Sequence, residues 1–566
     1  MPIDATSLLQ YPFGVLFQAD IQSNAVEGSN DMKLKNAIAS GSCFSVCSGV
    51  CRFVLMGLLL SGSGFSFGDY KDDIGYTRLL SELGAGLPDG SGVNVTQVEA
   101  DLNEDGSDVY AEYAPDSADS QFTGKTITDV TATSGAYSGH ATGVGRLFYG
   151  NTGSVAPGIT SIESYDAVDW LLSGFINGAQ SGPGPKPQPL GTSSRIANHS
   201  WVGSLTTSQI TSDILRRVDW VIDRDEYIQV IATNNGSNSK VLLSGSYNAI
   251  SVGRTDGGHA KGTAAVDNVY TADRIRPDIV APAAATSSAT PIVASATTLL
   301  VETGHSNPGL STSAPATNRN GDTIHSAERS EVIKAALMAG AERVTNNSTL
   351  ADITDYRANV VNQTANGLDS RFGAGQLSVY NSYHIIAAGE QESIDDAPAT
   401  GGLIGSHGFD YDPSFGGKNG SNSEASYFFS TDSGGARLTA SLVWNINIDG
   451  GNASAFDGTA TLFNLDLFLY DITGTQSAGD WQYLASSESL WENSENLWMM
   501  LDADRDYAMQ VKTAIGQTAF DWDYALAWQV TAVPVPVAFW LFGSGLLGLI
   551  GIGGRWKKVQ PALIEG

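Results

Sequence analysis

Ala285-Thr286-Ser287-Ser288-Ala289-Thr290-Pro291, followed by the apolar run from Ile292 to Val301, decides how this sequence is read. The run predicts a buried helix, and the Ser/Thr-rich turn ahead of it marks where that helix starts. Pro291 is expected in the first turn, where its missing N–H costs no helical bond. A serine at that end has the positive pole of the helix dipole close to any negative charge that develops on it. Alone, such a turn is an ordinary N-cap, so its chemical meaning depends on what surrounds it.

Outward from it, residues 69–390 alternate strand-like and helix-like stretches. Val93–Val98 predicts a strand; Ile210, Ile214, Leu215, Val218 and Val221 recur at helical spacing; Ile228–Ala232 returns as a strand. This is the pattern of an α/β unit, a mostly parallel sheet flanked by helices, in which chemistry collects at strand ends. Polar blocks interrupt it in order: His140-Ala141-Thr142-Gly143-Val144-Gly145, Asn198-His199-Ser200-Trp201-Val202-Gly203, Val230-Ile231-Ala232-Thr233-Asn234-Asn235-Gly236, Tyr247–Gly253, Arg276–Pro282 and Gly373-Ala374-Gly375.

Together these blocks resemble, in type and order, those of the subtilisin-like serine peptidases (subtilases). The resemblance covers residues 85–390 and implies roles. Ser287 stands at the nucleophile of G-T-S-x-A-x-P, with Ala285 in place of the Gly. His140 stands at the base of H-G-T-x-V-A, with Ala141 in place of the Gly, and Ser154-Val155-Ala156-Pro157 is similar to the strand lead that follows it. Asn235 falls at the oxyanion-hole amide, with Asn234 as its neighbour at the Gly place, while Asn198, Ser200, Trp201 and Gly203 fall in the wall of the substrate pocket and His199 is a wall residue out of catalytic register. The family ends its first strand in V-x-V-x-V-x-D. Aligning Val93 and Val95 to it puts Glu99 at the triad carboxylate; the alternative, Asp101, would bury Gln97 and Glu99 in the strand.

Asp101, Asn103, Asp105 and Glu112, with Gly106, match the spacing of an EF-type calcium loop, although a strand precedes it and Asp108 takes an apolar position; a solvated acidic turn is the other reading. The proposed chemistry requires no cofactor, and calcium is the one candidate.

The chain has 566 residues, with 30 Lys and Arg against 60 Asp and Glu. A net charge of -30 excludes a nucleic-acid partner, which needs basic surface. All three cysteines, Cys43, Cys47 and Cys51, lie in the N-terminal leader. Residues 1–68 form that leader, with a signal-peptide pattern from Met32: Lys33, Lys35 and Arg52, then apolar Phe53–Leu60, then small residues. Acidic residues 1–31 fit a start at Met32; a cytosolic extension is the other option. About 24 residues then precede the first strand, too few for a folded inhibitory propeptide.

After a linker at 391–412, alternation at Leu438–Trp444, Leu465–Leu469, Tyr507–Val511 and Tyr524–Trp528 predicts an all-β sandwich or jelly roll over 413–530. Residues 531–566 carry uncharged Val537–Gly554, then Arg555, Lys557 and Lys558, a transmembrane segment whose basic flank stays cytoplasmic. With Val533-Pro534-Val535-Pro536 ahead of it, the tail resembles PEP-CTERM sorting signals, which implies an exosortase-type partner, export to the cell envelope, and membrane anchoring or extracellular release. The function expected is an exported serine endopeptidase with a Ser-His-Glu triad acting on polypeptides; the alternative is an inactive subtilase-fold binding or structural module of the envelope.

Overall fold

The computed structural model describes residues 8–10, 16–18 and 69–533, apart from 102–111, 133–135, 179–185 and positions 206, 241, 273, 350 and 476. The leader around Met32 and the tail from 534 lie outside the described residues. Among those described, no helix is long and apolar enough to cross a membrane.

Seven strands, β1 Val95–Glu99, β2 Thr126–Asp129, β3 Ser161–Asp166, β4 Ile196–His199, β5 Ile228–Ala232, β6 Ile250–Arg254 and β7 Ile279–Ala281, form one sheet in the order β2-β3-β1-β4-β5-β6-β7. Every neighbouring pair is parallel. The chain leaves β1 for one flank and then crosses to the other, so β1 is where the strand order switches, and a crevice opens beyond the carboxyl ends there. The helices that matter here are α1 Gly139–Phe148, α2 Ser208–Asp225, α3 Thr286–Ser306, α4 Ser330–Gly340 and α5 Val379–Ala387. Helix α2 starts on Thr207, whose side chain accepts from the Ile210 N–H, and buries Ile214, Leu215, Val218 and Val221, the face its spacing predicted.

Helix α3 is buried almost all round, as a helix without a polar face must be. Its core threonines bond back to carbonyls four residues earlier: Thr290 to Thr286, Thr297 to Val293 and Thr298 to Ala294. The helix begins at Thr286, which corrects the expected place of Pro291: it is the sixth residue, beyond the first turn. Its missing N–H therefore leaves the Ser287 carbonyl without a helical donor. The Ser200 hydroxyl supplies one, at 3.0 Å.

The C-terminal unit is two four-stranded antiparallel sheets. Strands β8 His407–Phe415, β9 Glu424–Ser430, β10 Ala436–Val443, β11 Leu465–Asp471, β12 Gln482–Ser487, β13 Ser494–Leu501, β14 Asp506–Thr513 and β15 Trp522–Ala532 pair as β8-β15-β10-β13 and β9-β14-β11-β12. Leu438, Ala440, Leu442, Trp444, Leu467, Met509, Leu526 and Trp528 fill the space between them. The unit starts at His407, inside the expected linker, and its last strand runs to Ala532. Nor is it a tethered appendage: Phe409, Tyr411, Val443, Ala525 and Ala527, on the other face of the first sheet, belong to the same core as α4 and α5.

The short strands Leu8–Gln10 and Leu16–Gln18 pair with each other, and Leu16–Gln18 pairs antiparallel with Val202–Ser204, just beyond β4.

Candidate active site

Glu99 is the last residue of β1 and is buried. Its Oε2 lies 3.0 Å from Nδ1 of His140, the second residue of α1. Ser138 caps that helix, its hydroxyl accepting from the Ala141 N–H at 3.1 Å. Gln97, also buried, completes the Glu99 environment. Its amide Nε2 donates to Glu99 Oε1 (3.2 Å) and to the Ala141 carbonyl (2.8 Å), while its Oε1 accepts from the Tyr149 hydroxyl (2.6 Å). Both carboxylate oxygens are thus held, and so is the turn that carries His140.

Burial pulls the His140 imidazole toward its neutral form, but the charge of Glu99 and its hydrogen bond outweigh this, so the pKa stands above its ordinary value. The Tyr149 hydroxyl is pushed up strongly by burial and then by the Glu99 charge, which keeps it a neutral donor.

Ser287 is the second residue of α3. Ala285, the N-cap, has φ -140° and ψ 152°, extended backbone open to any side chain, so alanine in the place of glycine carries no strain. His140, Ser287, Asn235, Ser200 and Trp201 line one small cavity. Among the described residues no hydrogen bond joins Ser287 Oγ to His140, a bond that is commonly long without substrate.

Of the N–H groups at the start of α3, that of Thr286 donates to Asn235 Oδ1 (2.8 Å), and those of Ser288 and Ala289 donate to the Ala285 carbonyl. The Ser287 N–H has no acceptor among the described residues. Because an N–H occupies Asn235 Oδ1, the free end of that amide is the donor Nδ2. Asn234 is used otherwise: its Nδ2 donates to the Asn238 carbonyl at 2.8 Å. Asn235 is therefore the residue with a donor to offer at the cavity.

The expected wall residues divide. Ser200 and Trp201 line the cavity, whereas Asn198 is buried behind them and donates to Ser200 Oγ at 3.0 Å. Asn198 and Ser200 thus hold the Ser287 carbonyl in series. Gly203 pairs with Leu242 and Phe17 in strand contacts instead of lining the cavity. His199 donates through Nε2 to Gln229 Oε1 (2.7 Å), and burial pushes its pKa down to about 4, so it is a neutral core residue. Asp101 Oδ1 accepts from the Glu112 N–H at 2.7 Å. Of the proposed calcium ligands, Asn103 and Asp105 lie outside the described residues, and among those described no group of three or more acidic, His or Cys side chains is arranged to hold a metal.

Gln97, Tyr149 and Ser138 were not singled out from sequence. The available signal was Gln97 itself, a polar side chain in a strand buried on both faces, which demands partners.

No family model matches the chain, and no curated protein matches it. Among solved structures, the pre-peptidase C-terminal domain of a collagenase from Bacillus anthracis matches at 15% identity over 22% of this chain and 92% of that one, with a TM-score of 0.15. PliG, a periplasmic inhibitor of g-type lysozyme from Aeromonas hydrophila, matches at 14% identity over 23% and 94%, also with a TM-score of 0.15. At that level neither bears on the site.

Proposed function

We propose that the protein is a serine endopeptidase of the subtilase type, exported and held at the cell envelope. The observation that carries this is the Glu99–His140 contact of 3.0 Å at the carboxyl edge of a parallel sheet, with Ser287 and Asn235 on the cavity that His140 lines. Carboxylate, histidine and serine follow one another along the chain, as in subtilisin-type triads. The substrate is a polypeptide: Val202–Ser204 already takes an extended segment as an antiparallel neighbour, the way strand addition holds a peptide backbone.

In this reading His140 Nε2 removes the proton from Ser287 Oγ as the oxygen attacks the scissile carbonyl. Glu99 holds Nδ1–H, fixing the tautomer and stabilising the imidazolium. The carbonyl oxygen becomes an oxyanion, for which the Ser287 N–H and Asn235 Nδ2 are the free donors. His140 then protonates the departing amine, and water repeats the sequence to release the acyl group. Helix α3 adds the positive end of its dipole.

A second reading, an inactive envelope scaffold on the same fold, is favoured by one observation, the lack of a Ser287–His140 hydrogen bond. A fluorophosphonate probe decides between them. The purified protein should label covalently; Ser287→Ala and His140→Ala should abolish labelling, each with a loss on the order of 10⁶ in peptide turnover, and Ser288→Ala should label normally. A folded wild-type protein that never labels leaves the scaffold reading standing.

Export rests on the leader and on the tail beyond Val533, whose partner would be an exosortase-type enzyme. Deleting residues from Val533 onward should release the protein from the membrane fraction; a cytosolic, unprocessed chain in its own cell would sink this part.

A further inference from the structure

Resting on the peptidase reading, we propose that the protein cleaves after small residues, serine and alanine foremost, and that Trp201 sets this limit. The residue whose carbonyl is attacked must place its side chain in the cavity beside Ser287. That cavity runs between Ser200–Val202, beyond the end of β4, and Ala232–Asn235, at the end of the adjacent β5. The space left in it is about 10 Å³, of the order one ordered water needs. A benzene-sized group needs a cavity on the order of 150 Å³. A group of one water's size, a methyl or the hydroxyl end of a serine, is therefore about the most that the enclosed part takes without moving the wall.

The wall does not move easily. Trp201 is 3% exposed. Its ring meets that of His199 edge-on at 5.8 Å, and His199 meets Trp170 the same way at 4.7 Å, so Trp201 is the outermost ring of a buried column. The column carries no charge because His199 is neutral. It joins the core cluster that contains Leu242, Leu243 and Tyr247. Turning Trp201 out would return on the order of 200 Å² of ring surface to water, a cost that binding a larger side chain would have to cover.

The cavity also has a chemical preference. Asn234 lines it and is buried, and with its Nδ2 committed to Asn238 its Oδ1 is left without a donor. A serine side chain brings a hydroxyl that donates there, and a buried acceptor left unpaired is what makes such sites reject residues lacking the group.

The test uses the full chain and a set of internally quenched peptides differing only in the residue before the scissile bond: Gly, Ala, Ser, Leu and Phe. The expected order in kcat/KM is Ser above Ala and Ala above Gly, with Leu and Phe lower by 100-fold or more. Trp201→Ala should raise the Phe-to-Ala ratio at least 10-fold, and Trp201→Leu, which keeps an apolar wall, should raise it by less. Asn234→Ala should lower the Ser-to-Ala ratio. Cleavage after Phe or Leu as fast as after Ala in the wild type, or Phe-to-Ala ratios unmoved in both Trp201 variants, overturns the proposal. Fluorophosphonate labelling is run on every sample: labelled protein with the wrong preference refutes this inference alone, while unlabelled folded protein refutes the peptidase reading beneath it.

Discussion

Glu99 and Glu331 are both buried carboxylates, and the protein treats them differently. Each oxygen of Glu99 has a partner, one of them an imidazole whose protonation it favours. Glu331, on α4 at the junction of the two units, has Oε2 satisfied by the Ser330 hydroxyl (2.8 Å) and the Asn445 amide (3.2 Å), while Oε1 has no partner. Around it stand Asp223 of α2, Glu226 just beyond it and Asp523 of β15, with Arg329 the cation that pairs at the cluster, donating to Glu226 at 2.9 Å and covering the Tyr411 ring. Asp523 accepts from the Tyr411 hydroxyl (2.7 Å) through one oxygen, and its other oxygen is bare. Burial pushes Glu331 and Asp523 up, and for Glu331 the charges of Glu226 and Asp523 push further. The contrast is between a carboxylate with a partner on each oxygen and a cluster that folds most easily when partly protonated. Burial raises a carboxyl's pKa, and the partners decide how much of that rise remains.

Among these carboxylates, removing Glu99 should have the largest effect. Ser287 and the oxyanion donors would remain, but the His140 tautomer would no longer be fixed. Peptide turnover should fall by about 10⁴ in Glu99→Ala, with folding retained, whereas Asp101→Ala should have little effect on turnover. The reverse result would put the orienting carboxylate two residues further on.

The same pair predicts a pH signature. His140 works as a base only when neutral, and its pKa is raised, so the acid limb of kcat/KM should lie above the ordinary histidine value of about 6.5. In Glu99→Gln the opposing influence that remains is burial, which favours neutral imidazole, so the limb of the residual activity should move to lower pH. A limb unmoved by that substitution would mean that Glu99 does not set the His140 charge.

How much of this the sequence disclosed follows from the kind of force involved. The parallel sheet, the helix after Ser287 and the sandwich strands were legible because apolar spacing is a local record of which side is buried. Glu99 was preferred to Asp101 because the other register would bury Gln97 and Glu99 in the strand; the structure buries both all the same, so that ground does not separate the two, and what distinguishes Glu99 is its contact with His140. What was not legible depends on partners distant in sequence. Burial of Gln97 counted only against the Asp101 register, and the partners that make it tolerable, Ala141 and Tyr149, are 44 and 52 residues away. Pro291 looked harmless in a first turn, yet the carbonyl it frees is taken by Ser200, 87 residues from Ser287 in the chain. The junction was missed because a linker was expected where β8 begins, and nothing in the local pattern of His407–Phe415 says that its second face packs on helices of the other unit.

The junction gives the smallest effect and the cleanest sign. A carboxyl whose pKa is higher in the folded than in the unfolded chain contributes stability that is fully present below the unfolded value, about 4.3 for glutamate, and is lost as pH rises through the folded value. The slope is about 1.4 kcal/mol per pH unit for each proton more in the folded state. Glu331→Gln removes one such group while keeping its shape. The melting temperature of the wild type should therefore fall more steeply than that of the variant between pH 5 and pH 8, so that the variant is relatively more stable at the upper end. Arg329→Met should act oppositely, since it withdraws the cation that pairs with Glu226 and leaves the carboxylates facing one another. If the wild-type and Glu331→Gln curves run parallel across that range, Glu331 is ionised in the folded protein, and burial beside Glu226 and Asp523 does not hold a proton on it.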